Sequence, residues 1–596
     1  MTSTAVRPDP QPDPTPEPDE VTAAPAGPPA WRLAARRFVT GHWLPRLVTL
    51  LAVVPAVGTL LDVAGAGRLQ HIDYLYQLTR ITNPDGTLKA FDLANYLSNE
   101  HILGLPSLVY WVNIELFAGD NRTLGVFVVA VAGLTVLALR AALPATLSPL
   151  VRAGIVAGGS ALVFSLHGLW NYTRAMSGTA WLTANLIVVV ALLLAVRGRW
   201  WPAWGLALLG SVTYGTAFAV WPVLALLAVV RREPVWKRLL PLAAGGVIVA
   251  VWLAYRPSAP LAGAPTTDLG SLLYYFLAIV GKLWTADSGG MAALAGAVIL
   301  GIYAALASSK VAREPGLWFW WALACHAFLG AGMIAIARVD YGGEVGMDTA
   351  RYTSISVLMS LPAIVLLATV VHRRADRAGY KIAAVTLVAG MLGYALGAPD
   401  AVAERAADKA HHVEAVAIRG GFSDAYRRYP LASDLVPRLR AMGHYPFTDD
   451  FTLGCGGPEL GSVLDRDAMT PLLPARGNKR PKHAAGAVEW VEPPDPAPFF
   501  HGKAVPVFHG WAADRADPVR CTVIVDGAGK VVGGGVSGIV RADVAMRYAG
   551  VAPNSGFAVI GPVDDDSRIV VIQDSGAMRW LPARIPPQVQ TRPPNR

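Results

Sequence analysis

The chain is short of charge and of cysteine. Only 16% of its 596 residues are Asp, Glu, Lys or Arg, against roughly 25% in soluble domains, which argues against a wholly soluble enzyme. Three cysteines, Cys325, Cys455 and Cys521, exclude a disulfide-rich scaffold. There is no zinc-ligand spacing, no phosphate-binding P-loop and no dinucleotide fingerprint. No internal repeat indicates a transporter assembled from duplicated halves. What is present is apolar: 53% hydrophobic residues and a mean hydropathy of +0.41. These residues gather in runs such as 123–139, 178–196, 290–308 and 381–397, matching the roughly 17–25 residues that span a bilayer. The composition is that of a polytopic membrane protein, and it does not name a reaction.

Net charge is +9, from 51 Lys and Arg against 42 Asp and Glu. In such a chain it bears on orientation rather than on nucleic acid. Residues 1–30, rich in Pro, Asp, Glu, Thr and Ala, read as a disordered tail within a cytoplasmic segment 1–44. Arg32, Arg36, Arg37 and Arg46 precede or open the first run, about 45–66, and place the N-terminus in the cytoplasm. Further basic clusters fall at Arg197–Arg199, Arg231–Arg238, Lys310–Arg313 and Arg373–Arg377. If all of them face the same side, an even number of crossings separates each from the next. Residues 101–119, with Pro106, Asn113 and Glu115, then read as a helix in the outer interface, inside a long first outer loop 67–122. Residues 268–285 read as interfacial or re-entrant, and 200–230 as a tight hairpin turning near Tyr214–Gly215. The expectation is about eleven spans within 45–397, with everything after residue 398 outside the cell. Residues 398–500 read as a helical and loop linker. From 501 to 590, Val-rich alternation broken by DG and SG turns predicts a small β-sandwich-like domain.

Candidate chemistry lies on the outer face. Glu100 and His101 stand where the chain turns into the interface, and Asp73 lies earlier in the same loop. A carboxylate held against the bilayer is partly desolvated, which raises its pKa and suits it to act as a base; a helix cap or interfacial anchor accounts for this pair equally well. Arg174, Lys282, Arg338 and Arg351 run against the positive-inside trend. Arg351, beside Tyr352, can hold a phosphate with two hydrogen bonds or snorkel to ordinary head groups. Asp340, Glu344 and Asp348 could take a divalent cation, though a solvated loop explains them as well. Cys455 and Cys521 both fall outside and could pair, while His326 falls within a span.

The layout resembles the GT-C superfamily of membrane glycosyltransferases. The resemblance is carried by the cytoplasmic N-terminus, the long acidic first outer loop and the span count over roughly 45–397. NEHILGLPSLVYWVNIELFAGDN, YGTAFAVWPVLALLAVVRR and ARYTSISVLMSLPAIVLL are similar to stretches of bacterial membrane proteins near that superfamily. The run from Gly510–Trp511 to Ser555–Gly556–Phe557 is similar to a small β-domain found beside glycan-modifying enzymes. Many GT-C members carry an acidic pair soon after the first span; this chain has His71-Ile72-Asp73 there and Asn99-Glu100-His101 further on. The resemblance implies a polyprenyl-phosphate sugar donor taken from the outer leaflet of a bacterial plasma membrane, an envelope glycan or lipid acceptor, and an inverting displacement. It implies Glu100 or Asp73 as base, with His101 beside them. Arg351, with Arg174 or Lys282, would bind the departing phosphate, Tyr352 would line the donor site, and Trp511 would stack on the glycan. A carrier of lipid-linked glycans, predicting charges inside spans, and a non-catalytic scaffold are the competing readings.

Overall fold

The computed structural model describes residues 43–90, 96–98, 101–255, 268–286, 289–339, 350–375, 378–422, 435–472, 485–492, 505–548 and 550–582. Its N-terminal part holds α1 (Trp43–Leu50), α2 (Val53–Gly65), α3 (Ile72–Ile81), the short pair β1 (Leu97–Ser98) and β2 (His101–Ile102), and α4 (Gly104–Phe117). The bundle continues through α5 (Asn121–Ala141), α6 (Pro149–Val163), α7 (Trp170–Thr173), α8 (Ala175–Val196), α9 (Trp200–Ser211), α10 (Val220–Val230) and α11 (Val235–Tyr255). It is completed by α12 (Leu269–Gly281), α13 (Gly290–Ser308), α14 (Trp318–Arg338), α15 (Thr353–Arg374) and α16 (Gly379–Ala395). A polar helix α17 (Ala398–Gly420) and α18 (Leu435–Ala441) follow.

Nine helical stretches among the described residues are long and apolar enough to cross a membrane. Gly215–Val230 and Leu269–Trp284 are shorter apolar helices. The expected hairpin is α9 and α10, joined through Thr213 and Tyr214. α12 departs from the interfacial alternative: it stands in the bundle, packed against α13, α14 and α15. Glycine explains the fit, because a Cβ on Gly281 would lie 2.0 Å from the Ala292 carbonyl oxygen and one on Gly296 2.0 Å from that of Leu277. α4 presents an exposed stripe of Leu108, Val112 and Leu116 and buries Tyr110 and Ile114, as a helix with one lipid-like face does.

Charge collects at two ends. At one, Arg197 Nη2 donates to the Ala141 carbonyl at 2.9 Å and Arg231 Nη1 to that of Val196 at 2.6 Å. At the other, Asp120 caps α5, Arg68 binds Asp120 and Asp450 at 2.7 and 2.8 Å, and Arg122 Nε donates to the Ala66 carbonyl at 2.6 Å. On this second end Tyr74 and Leu78 of α3, Tyr110 and Ile114 of α4, Val416 and Ile418 of α17, and Val523 and Val570 of the C-terminal sheet share one apolar core. The first loop, the helix after the last span and the sheet are therefore packed as one body.

The sheet comprises β3 (Thr470–Pro471), β4 (Ala485–Glu492), β5 (Val507–Ala513), β6 (Val519–Val525), β7 (Val531–Ile539), β8 (Gly556–Ile560), β9 (Arg568–Gln573) and β10 (Met578–Trp580), with the short α19 (Ala542–Arg547) between β7 and β8. All eight strands form one order, β3-β10-β9-β6-β7-β8-β5-β4. It curls over its own core: Phe508, Ile524, Phe557, Val559, Ile569 and Val571 cluster on one face, while the alternate residues Val523, Val525 and Ile560 join the shared core. The sheet begins before residue 501, because β4 pairs antiparallel with β5 from Ala485↔Ala513 onward. The pairing of Cys455 with Cys521, left open by the sequence, is a disulfide, and it ties β6 to the segment lying between α18 and the sheet.

Candidate active site

The first turn of α3 carries Asp73, with His71 as its N-cap residue. Burial raises the Asp73 carboxyl above its ordinary value, against the opposing pull of the Arg351 and Arg338 guanidinium groups. Asp73 is thus partly desolvated, with two guanidinium groups near enough to favour its anion. His101 sits on β2, its Nε2 2.9 Å from the Tyr214 hydroxyl and its ring stacked on the Tyr214 ring at 4.0 Å. Burial holds His101 down to about 3, so it is neutral at physiological pH. Trp181 of α8 extends this aromatic wall, 4.4 Å from Tyr214 and 5.6 Å from Tyr352.

Arg351 lies 5.6 Å above the Tyr352 ring, and its buried Nε has no hydrogen-bond partner among the described residues. A guanidinium N–H left without an acceptor in a half-buried position is unusual. Among the described residues it is open to an anionic acceptor.

Beside this cluster lies a cavity of about 500 Å³, lined by His167, Trp170, Arg174, Lys282, Asp400 and Glu404 among others, with Ala350 at its Arg351 side. Arg174 Nε donates to Glu404 at 2.9 Å, and its guanidinium lies 3.7 Å from the Trp170 ring centre. Lys282 Nζ is 3.8 Å from Asp400, whose carboxylate also meets His167 Nδ1 at 2.7 Å. His71 links the two parts: it is 5.3 Å from Trp170 and 6.3 Å from His411. Burial first, then Arg174, His411 and Arg351, hold His71 down to about 3.

The fold therefore brings together Asp73, His101, Arg351 and Tyr352 in one cluster and Arg174 and Lys282 around the adjoining cavity. Glu100 lies outside the described residues, as do Asp340, Glu344 and Asp348. Among the described residues no group of three His, Cys, Asp or Glu could hold a metal. Trp511 needs correction: it is 2% exposed, stacked on Tyr548 at 5.1 Å and packed with Ala485, Val544 and Val551. Its ring is core, with no face left for a glycan.

Sequence reasoning missed the far wall. Asp400, Glu404 and Asp408 recur every four residues on α17, a spacing that puts them on one helical face. They meet His167 and Lys282, Arg174, and the Gly67 amide respectively. That acidic stripe directly after the last apolar run was the available signal.

No protein-family model matches the sequence, and no curated protein does. Among solved structures the chain is similar to the crystal structure of ArnT from Cupriavidus metallidurans bound to undecaprenyl phosphate. The likeness covers 67% of this chain and 85% of that one, at 15% identity and a TM-score of 0.39.

Proposed function

We propose that the chain is an integral membrane glycosyltransferase that moves a sugar from a polyprenyl-phosphate donor to an envelope glycan or lipid acceptor at the outer membrane face. The observation that carries the reading is the nearness, beside a cavity bordered by charged residues at one end of an apolar bundle, of a carboxylate with raised pKa and a guanidinium whose Nε–H has no acceptor among the described residues. Asp73 takes the proton of the acceptor hydroxyl as that oxygen attacks the anomeric carbon. The bond from that carbon to the phosphate oxygen breaks, and its electron pair leaves with the phosphate. A phosphate monoester anion is a good leaving group, so the protein needs cations to hold it rather than an acid to protonate it. Arg351 is the first of these, because Arg174 and Lys282 already face Glu404 and Asp400. One in-line displacement inverts the anomeric centre.

The exposed apolar residues of the bundle suit the prenyl chain, and the positive-inside pattern supports putting the cavity on the outer side. The disulfide supports the same orientation, because disulfides persist in oxidising compartments.

The test is binding of a polyprenyl monophosphate to the purified chain in nanodiscs. Arg351→Gln should weaken it by about ten- to a hundredfold, the loss of a charge-assisted hydrogen bond to phosphate. Equal binding by wild type and variant would remove Arg351 from the site.

A further inference from the structure

The end of the bundle opposite the cavity carries a second surface that the proposed reaction does not use. Four tryptophans from two helices gather there. Trp200, Trp201 and Trp204 open α9, and Trp236 opens α11. Trp201 and Trp204 are 5.1 Å apart, Trp204 and Trp236 5.8 Å, and Trp201 and Trp236 6.2 Å. Trp201 is 71% exposed and Trp236 48%. Trp204 is buried, and its indole N–H has no acceptor among the described residues. Indoles with an apolar body and a polar edge settle at the carbonyl layer of a bilayer.

Charge around the indoles is one-sided. Arg199, Arg231, Arg232, Lys237 and Arg238 face a single carboxylate, Glu233. That carboxylate is already taken by Lys237 at 2.8 Å and Arg231 at 3.4 Å. Arg199 and Arg232 are exposed, and neither side chain has a partner among the described residues.

The backbone adds an independent sign. α8 and α10 end in the same way, with Arg199 N bonding the Leu194 carbonyl and Glu233 N the Ala228 carbonyl, both at 2.9 Å. This termination needs a left-handed residue one place earlier, usually glycine. At the end of α8 it is Gly198 at φ +80°, but at the end of α10 it is Arg232 at φ +56°. A strained arginine where glycine would be relaxed points to a use for its side chain.

We infer that this surface binds an anionic phospholipid, its phosphate held by Arg199 and Arg232 and its glycerol ester region resting on the exposed indoles of Trp201 and Trp236, which the buried Trp204 holds in place. The occupant is a membrane lipid of net negative head group. An excess of cations with no carboxylate left to neutralise them discriminates it from zwitterionic lipid.

The experiment uses the purified full chain in a neutral detergent, titrated with brominated phosphatidylglycerol or brominated phosphatidylcholine. Tryptophan quenching gives the apparent Kd, and thermal unfolding gives the lipid-induced Tm shift. Wild type should bind the anionic lipid about tenfold more tightly, a margin of about 1.4 kcal/mol, and gain Tm from it. Arg199→Gln/Arg232→Gly should lose that preference and that gain, yet match or exceed wild-type Tm without lipid, because glycine relieves the left-handed strain. Equal binding of the two lipids by wild type would overturn the inference. So would a preference that survives in the variant, or a sharp fall in lipid-free Tm, which would assign the arginines to the fold.

Discussion

The disulfide between Cys455 and Cys521 closes a loop of 66 residues. In the chain-entropy description, a cross-link over that separation removes about 15 cal/mol/K from the unfolded ensemble, or about 4 kcal/mol at 25 °C. Both cysteines are 3% exposed and lie in the shared core of α17, α18 and the sheet. The stabilisation therefore acts on the unit that opens when β6 leaves that core, and not on the crossings of α6 and α8. Removing the bond with Cys455→Ala/Cys521→Ala should raise the equilibrium population of that open form by roughly a thousandfold, since 1.4 kcal/mol is a factor of ten. Native-state hydrogen exchange in detergent reads this directly. The amides of β6 and of its neighbour β9 should exchange roughly a thousand times faster, with those of α6 and α8 unchanged. Unaltered exchange in the sheet would mean that the cross-link holds nothing the packing does not already hold. Equal acceleration everywhere would mean that sheet and bundle unfold as one, contradicting a separable unit. The wild-type chain, denatured and alkylated without reductant, should expose Cys325 as a free thiol and neither Cys455 nor Cys521.

Two further outcomes follow from the site. Asp73 must be ionised to act as a base, so activity should rise with pH through its raised pKa. Arg351 favours the anion, so Arg351→Gln should move that acidic limb to higher pH as well as lowering the rate; a pH–rate profile that only drops in height would deny the coupling. The Arg174–Glu404 pair has both side chains only 10% exposed. Glu404→Leu strands a buried cation and should cost about 3–5 kcal/mol in unfolding experiments, whereas Arg174→Met/Glu404→Leu, compared also with Arg174→Met, should recover most of the loss. Additive losses in that double-mutant cycle would show that the two groups are not a pair.

Bundle, hairpin and sheet were legible because each rests on a local signal. Runs of apolar residues bounded by arginine mark the spans. The turn at Thr213–Tyr214 separates two short helices, and Val-rich alternation marks β6 and β9. The early strand β4 was hidden because AGAVEW is short and Gly/Ala-rich, and only its pairing with β5 makes it a strand. Trp511 shows the same limit in reverse: an aromatic beside a turn-rich stretch suggests a platform, but burial between α19 and β4 is decided by tertiary packing. Asp73, His101, Arg351, Arg174 and Lys282 were named individually as candidates on the expected outer face. Their grouping was not, because it depends on α17 folding back across the cavity, and nothing local states where that helix lies. His167 and Tyr214 escaped notice for the same reason, each acquiring its partner from more than a hundred residues away.

The proposed sugar transfer beside this cavity stands or falls with Asp73 as base. The direct measurement supplies the purified chain in nanodiscs with a panel of radiolabelled polyprenyl-phosphate sugars and envelope glycan acceptors, comparing wild type with Asp73→Asn and Glu100→Gln. Wild type should transfer sugar from one donor, and the rate should be lower by about a hundred- to ten-thousandfold in Asp73→Asn with donor binding retained. Transfer that survives in Asp73→Asn, or that is lost only in Glu100→Gln, would take the base away from Asp73. Tight lipid binding with no transfer from any donor would contradict the enzyme itself.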